Sequence, residues 1–357
     1  MFWLGLIVSL CYIPGWTGAS VPTQWAVLSI ILPWTLFLPG PTAPFHRWWL
    51  VFLGYALFAT LVAANTFNAV FALWGLCLMG LCLWLGTVIT STYLVWAGLA
   101  VGGAVSSALC VVQWFGINVL PTFGTFPAGL YFNSVANGAI LALIAIALLT
   151  RGEILSALCL MPGLIISQSR GAWLAFLIGL LGLRFRSAKV LLILPAFGLL
   201  FFLVPLSPSD EQRLYIWSIA YNNLQFFGWG PGAFTTIYSV WHDQPLFPEH
   251  VHNDILELIF DYGILATIPI GLFAWALTRT QSAEWPIILT FVVMGFYSFP
   301  FWMPITSFIA FVAAGHMLRD WALDGSIRNG GRFDLLLWLA GKQPANGSNG
   351  SQAIPLV

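Results

Sequence analysis

Long apolar runs separated by short polar or Pro/Gly-containing breaks dominate residues 2–318. A bilayer core takes roughly 20 apolar residues per helix, and lipid-facing backbone must satisfy its hydrogen bonds within its own segment. By that criterion the runs predict about twelve membrane helices. Their spans are 2–16, 22–38, 48–64, 69–90, 93–115, 134–150, 154–167, 171–183, 190–206, 254–277, 285–299 and 303–318. The expected fold is an all-α polytopic bundle over 1–318. The first run is short and ends at Pro14-Gly15. No basic stretch precedes it, so it reads as a retained helix in preference to a signal peptide.

Alternating sides along these spans, starting inside, places Arg47, Arg151, Arg184, Arg186, Lys189, Arg279, Arg319, Arg328, Arg332 and Lys342 on the cytoplasmic side. Those are ten of the 12 Lys and Arg residues, the bias that the positive-inside rule requires. Arg170 and Arg213 are left outside. Trp48 and Trp49 follow Arg47 where an interfacial aromatic belt belongs. Both termini are then cytoplasmic. The stretch 207–253 forms an outer loop, and 319–357 forms a cytoplasmic tail. That tail has an interfacial helix predicted at 332–339 and a flexible end, PANGSNGSQA. Asn346-Gly-Ser and Asn349-Gly-Ser match the glycosylation triplet, but in a cytoplasmic tail the match is coincidental.

Composition narrows the class further. The chain is 60% hydrophobic and 7% charged, against about 25% charged in soluble domains, so lipid is its main solvent. Twelve basic residues balance twelve acidic ones, which argues against a nucleic-acid partner held by a basic surface. The five cysteines lie inside apolar runs without zinc-type spacing and read as small buried hydrophobes.

Candidate chemistry collects on the outer side. The loop opens with PSDEQRLYIWSIAYNNLQFFGWGPG, residues 208–232. Ser209 and Gln212 have capping-box spacing, with Asp210 and Glu211 in the first turn. The predicted helix carries Arg213, Trp217, Ala220 and Leu224 on one face, lies along the membrane surface and ends at GWGPG. Taken alone, Arg213 reads as a snorkelling side chain. Arg170, in SQSRGAW at 167–173, stands between two strongly apolar helices with almost no loop. A guanidinium there is costly unless an anion, a polar cavity or a partner carboxylate compensates it.

The segment PEHVHNDILELIFDYGIL, 248–265, places His250 and His252 just before a membrane helix that Asn253 or Asp254 would cap. Asp254, Glu257 and Asp261 share one face of that helix, so Glu257 and Asp261 are expected to enter the apolar zone. Three readings of the histidines stand side by side. They could bind a metal with Glu249, His242 or Asp243, although no second tight ligand pair exists. They could be ordinary polar loop residues. One could serve as a general base.

Taken together and in this order, GLYFNSVANGAILAL (129–143), SQSRGAW, QRLYIW…GWGPGAF and HVHNDILELIFDYGIL resemble the O-antigen ligase/polymerase superfamily. These are bacterial inner-membrane glycosyltransferases that use glycans carried on undecaprenyl diphosphate. The similarity is concentrated in 129–265, and the first hundred residues match only in hydrophobic character. The resemblance implies a twelve-helix, GT-C-like, metal-independent fold without cofactor and with a periplasmic active site. Its essential residues fall on Arg170 after the SxSR-type turn, Arg213 at the start of the periplasmic helix, and His252 in the HxHN segment. His250, Asn253 and Asp254 are the residues that could orient the imidazole. Ala266 occupies a place where glycine is common, and the chain is short for a ligase, which leaves the branch open.

The resemblance implies a donor glycan on undecaprenyl diphosphate and says little about the acceptor, for which lipid A–core is the first expectation. Another lipid-linked glycan (a Wzy-like polymerase) or a protein hydroxyl (an O-oligosaccharyltransferase) would use the same donor site. A small-anion transporter is the alternative of a different class. Transporters tend to keep ionisable groups at the membrane midplane on broken helices, whereas here most charges collect at helix ends.

Overall fold

The computed structural model describes residues 1–10, 20–37, 47–117, 120, 126–131, 133–185, 208–241, 250–280 and 282–328. No strand forms among them. The helices are α1 (Phe2–Leu10), α2 (Ser20–Ile31, continued by a 3-10 turn Leu32–Phe37), α3 (Arg47–Leu61), α4 (Thr66–Val88) and α5 (Tyr93–Trp114). After them come α6 (Ser134–Leu149), α7 (Ile154–Leu158), α8 (Met161–Ile166), α9 (Arg170–Phe185) and α10 (Pro208–Asn222). The chain continues with α11 (Phe234–Trp241), α12 (Asp254–Tyr262), α13 (Thr267–Thr278), α14 (Trp285–Gly295) and α15 (Pro304–Arg328). Asparagine side chains start three of them. Asn65 accepts the backbone N–H of Asn68 at 3.1 Å, Asn133 that of Val135 at 2.7 Å, and Asn253 that of Leu256 at 3.0 Å.

Among the described residues, α4 and α5 are each long and apolar enough to cross a membrane, and the α12–α13 pair would be a third if it is one span. The apolar stretches Gln24–Phe37, Arg47–Leu61, Ser134–Leu149, Ile154–Ile166 and Trp285–Gly295 are shorter than the spans the sequence predicts there. The run 154–167 divides into α7 and α8, with Pro162 in the first turn of α8. The predicted span 190–206, the tail beyond Arg328, and the residues Glu249, His242 and Asp243 lie outside the described residues.

The centre of the bundle is α6, in which every residue from Asn137 to Leu148 is buried. A helix that is apolar on all sides must be surrounded, and α5, α8, α9, α14 and α15 do this. Close crossings rely on small residues. A Cβ on Gly86 of α4 would lie 2.2 Å from the Val312 carbonyl oxygen, and one on Gly315 of α15 would lie 2.0 Å from that of Leu83.

An ion cluster marks one end of α6 and an apolar cap the other. Beyond its C-terminus, Arg151 donates to Glu284 and Thr92, and Thr92 donates to Glu284 at 3.1 Å. His316 Nδ1 lies 3.5 Å from the same carboxylate, and Arg319 donates to the Ile89 carbonyl at 2.8 Å. At the opposite end a second apolar cluster forms a cap from α10, α11 and α12, centred on Ile216, Ala220, Phe234, Tyr238 and Phe260.

The cap corrects the expectation of one straight helix over 254–277. The chain turns by 119° between α12 and α13. Gly263 makes this possible with φ +76°, and a Cβ there would lie 2.2 Å from the Phe226 carbonyl oxygen. The loop 228–232 bonds the end of α12: Trp229 N–H donates to Phe260 O at 3.1 Å and Gly230 N–H to Asp261 O at 2.9 Å. Glu257 and Asp261 therefore stay with the cap instead of descending along a membrane helix. Asp261 Oδ2 accepts the Gly232 N–H at 2.9 Å.

Gly315→Leu is expected to lower stability by about 2 kcal/mol or more by overpacking the α4–α15 crossing. Thermal unfolding of the detergent-solubilised protein, followed by tryptophan fluorescence, would read this. An unchanged midpoint would show that the two helices do not touch there.

Candidate functional site

The α8–α9 connection is only three residues long, and this sets the position of Arg170. Gln168 takes the left-handed conformation, φ +50°, which reverses the chain after Ser167. Ser169 then caps α9, its hydroxyl accepting the Ala172 N–H at 3.4 Å. Arg170 follows as the first residue of α9. It donates from Nη2 to Asp210 Oδ2 at 2.7 Å. Asp210 lies in the first turn of α10 and is 5% exposed. Its other oxygen stands 3.7 Å from Nη1 of Arg213, one helical turn along. One buried carboxylate thus joins two arginines that are 43 residues apart in sequence (213 − 170).

Both arginines and Asp210 border a cavity of about 620 Å³. Ser134 and Val135 from the first turn of α6 line it, as do Gly171 and Ala172 from the first turn of α9. Asp210 adds the first turn of α10, so three helix N-termini meet at one hollow. The positive end of each helix dipole favours an anion there. Tyr297 and Ser298, just past α14, form another wall. The GLYFNSVANG stretch is held beside the cavity by a buried polar network. Gln113 Oε1 accepts the N–H groups of Ala128 and Gly129 at 3.0 and 2.9 Å, and Ser106 accepts that of Leu130 at 2.9 Å.

The histidines stand on the cap side. His250 Nδ1 lies 2.7 Å from Glu257 Oε1, while Glu257 Oε2 accepts the Val251 N–H at 2.9 Å. Trp217 Nε1 donates to the Val251 carbonyl at 3.0 Å. Asn253 caps α12, and Asp254 Oδ2 accepts the Phe301 N–H at 2.8 Å. With Val251 and Asn253 both fixed, His252 between them is held at φ +59°. Gln168 and His252 are the two non-glycine residues with positive φ among the described residues, and both belong to this region. Such backbone persists only where the surroundings over-determine it.

His250, Asn253 and Asp254, expected to orient the His252 imidazole, are all engaged elsewhere, and none bonds it. Its contact is with Phe299, ring centroids 5.0 Å apart, which also stacks on His250 at 4.6 Å. His252 does not line the cavity. It is connected to it through the charge of Arg213 and through the turn 297–299. Burial, with the positive charge of Arg213 and the neighbouring His250, lowers its pKa from 6.5 to about 3. The imidazole is therefore neutral at pH 7 and able to accept a proton. For Arg213, burial lowers proton affinity, Asp210 raises it and Arg170 lowers it.

Sequence reasoning did not single out Asp210, Tyr297, Ser298 or Phe299. The i, i+3 spacing of Asp210 and Arg213 was a visible signal; the others carried none. Among the described residues no three His, Cys, Asp or Glu side chains gather in a metal-binding set. No family model matches the chain, and no curated protein matches it.

The folded imidazole protonates far below the unfolded one, so the unfolded state binds the extra proton between pH 6.5 and about 3. This residue's contribution to folding is fully present above pH 6.5 and is lost as the pH falls through that window. Nitrogen-15 spectra of labelled histidine should show His252 neutral down to about pH 4, with its midpoint raised in Arg213→Gln. A midpoint near 6.5 in the unmodified protein would refute this environment.

Proposed function

We propose that the chain is a membrane glycosyltransferase that moves a glycan from a polyprenyl diphosphate, undecaprenyl diphosphate in bacteria, to an acceptor hydroxyl. The observation that carries this reading is the pair Arg170–Arg213, held on one cavity among three helix N-termini beside a neutral imidazole. Cleaving the bond between an anomeric carbon and a diphosphate leaves its electron pair on the diphosphate. The growing charge needs fixed cations, and the planar guanidinium fork matches phosphate oxygens. The acceptor oxygen attacks the anomeric carbon from the opposite face, inverting it, and its proton passes to His252.

A base with so low a proton affinity is weak while the site is empty. A bound diphosphate offsets the charge of Arg213 and so strengthens the imidazole as base. Donor occupancy and base strength are then coupled. In this reading α10–α12 roof the cleft at the periplasmic face of a twelve-span, GT-C-like bundle in the inner membrane, both termini cytoplasmic. The arginines of the opposite end, Arg151 and Arg319, face the cytoplasm, in keeping with the charge alternation.

The leading acceptor is lipid A–core, which makes the enzyme an O-antigen ligase. The Wzy-like polymerase, the protein transferase and, in another class, the small-anion transporter are the further readings. Lipopolysaccharide banding in a deletion strain separates the first two. Loss of long chains from the core with polymer accumulating on its carrier marks a ligase, and a single retained repeat unit marks a polymerase.

His252→Ala is expected to lower transfer by about 10²–10⁴-fold with membrane insertion intact. Arg170→Lys keeps the charge but loses the fork, and should cost about a hundredfold in turnover. Near-normal activity in either variant would remove that residue from its role. Activity is also expected to survive exhaustive chelation; a strict divalent-ion requirement would return the histidines to a metal site with Glu249, His242 or Asp243.

A further inference from the structure

Two guanidiniums sharing one cavity repel each other, and in a partly desolvated site that repulsion is poorly screened. Asp210 relieves it with one oxygen toward each, 2.7 Å from Arg170 and 3.7 Å from Arg213. It is buried, and it forms part of the cavity wall. One anion bridging two arginines through separate oxygens is also how a phosphate group is gripped. The carboxylate and the ligand anion would therefore seek the same donors.

We propose that Asp210 is the resident counter-ion of a diphosphate clamp. It holds Arg170 and Arg213 at a phosphate-bridging separation while the site is empty, and an incoming diphosphate displaces it. This rests on the diphosphate reading given above and adds the regulation of that site. The carboxylate acts in two ways. It preorganises the cations, so that little ordering remains when the donor arrives. It also competes with the bound anion, so the lipid diphosphate left after transfer, more charged than the donor, is released instead of trapped. Asp210 is thus a positioning residue that sets how long the leaving group stays.

A plain structural ion pair would behave in the opposite way, since removing it would loosen the arginines and weaken anion binding. The test uses the full chain in lipid nanodiscs, with inorganic pyrophosphate as probe, chelator present and binding followed by tryptophan fluorescence (Trp173 lines the cavity). Asp210→Asn and Asp210→Ser should bind pyrophosphate about tenfold more tightly than the unmodified protein, a difference within the range of close charge pairs. Asp210→Glu should restore the original affinity. In transfer assays the two neutral variants should show kcat and donor KM falling together.

Equal or weaker binding in the neutral variants, with binding to the unmodified protein intact, would overturn the counter-ion while leaving the diphosphate site standing. Absence of binding in the unmodified protein and in both neutral variants would remove the diphosphate reading itself. If neither neutral variant folds, the proposal also fails, because a carboxylate that the fold cannot release is not one that a ligand displaces.

Discussion

Arg170 and Arg213 carry the same charge and reach one hollow from separate helices, and the carboxylate of Asp210 is what allows the bundle to keep them there. Removing charged groups from water costs several kcal/mol each unless opposite charge and hydrogen bonds compensate. Here the compensation is shared out among three helix starts. The first turn of α10 supplies the carboxylate and one arginine, the first turn of α9 supplies the other arginine, and α6 adds its N-terminus. The tight 167–169 turn brings Arg170 to the right level, and the strained Gln168 is the cost of keeping that turn short.

The site also lies on the seam between bundle and cap. A single short stretch after α14 reaches across it: Tyr297 and Ser298 face the cavity, Phe299 meets both histidine rings, and the Phe301 N–H anchors Asp254. Any shift of the cap relative to the bundle therefore moves the histidines and the cavity wall together. The cap itself is fixed to the bundle through Gly263, through the backbone bonds of 228–232, and through Tyr55, whose hydroxyl donates to the Tyr262 carbonyl at 2.8 Å.

What the sequence revealed follows the range of the physics involved. Apolar runs and asparagine caps are local, so helix content and several helix starts were legible. The alternation of basic residues left Arg170 and Arg213 outside, and Arg170 stood out further because a guanidinium between two apolar helices is conspicuous. The bend at Gly263 was hidden, since the apolar pattern continues through FDYGILATIP and only one glycine marks the break. Helix α11, eight residues long, gives too few turns for a periodic signal. Asp210 looked like an ordinary first-turn acid because its partner Arg170 is a tertiary neighbour. Phe299 is one of 29 phenylalanines, so nothing in the chain distinguished it. Positive φ at Gln168 was equally invisible, and although histidine adopts that conformation more often than most residues, nothing set His252 apart from His250.

The ion cluster beyond the C-terminus of α6 has a mechanical meaning for the molecule. Glu284 is almost wholly buried, and α6, α14, α15 and the α4–α5 connection all converge on it through Arg151, His316 and Thr92. Parting these helices would strand that carboxylate, at a cost of about 3–5 kcal/mol for breaking a buried pair. The end of the bundle away from the cap is in this sense its bolted floor, and the hollow with the two arginines lies at the other end.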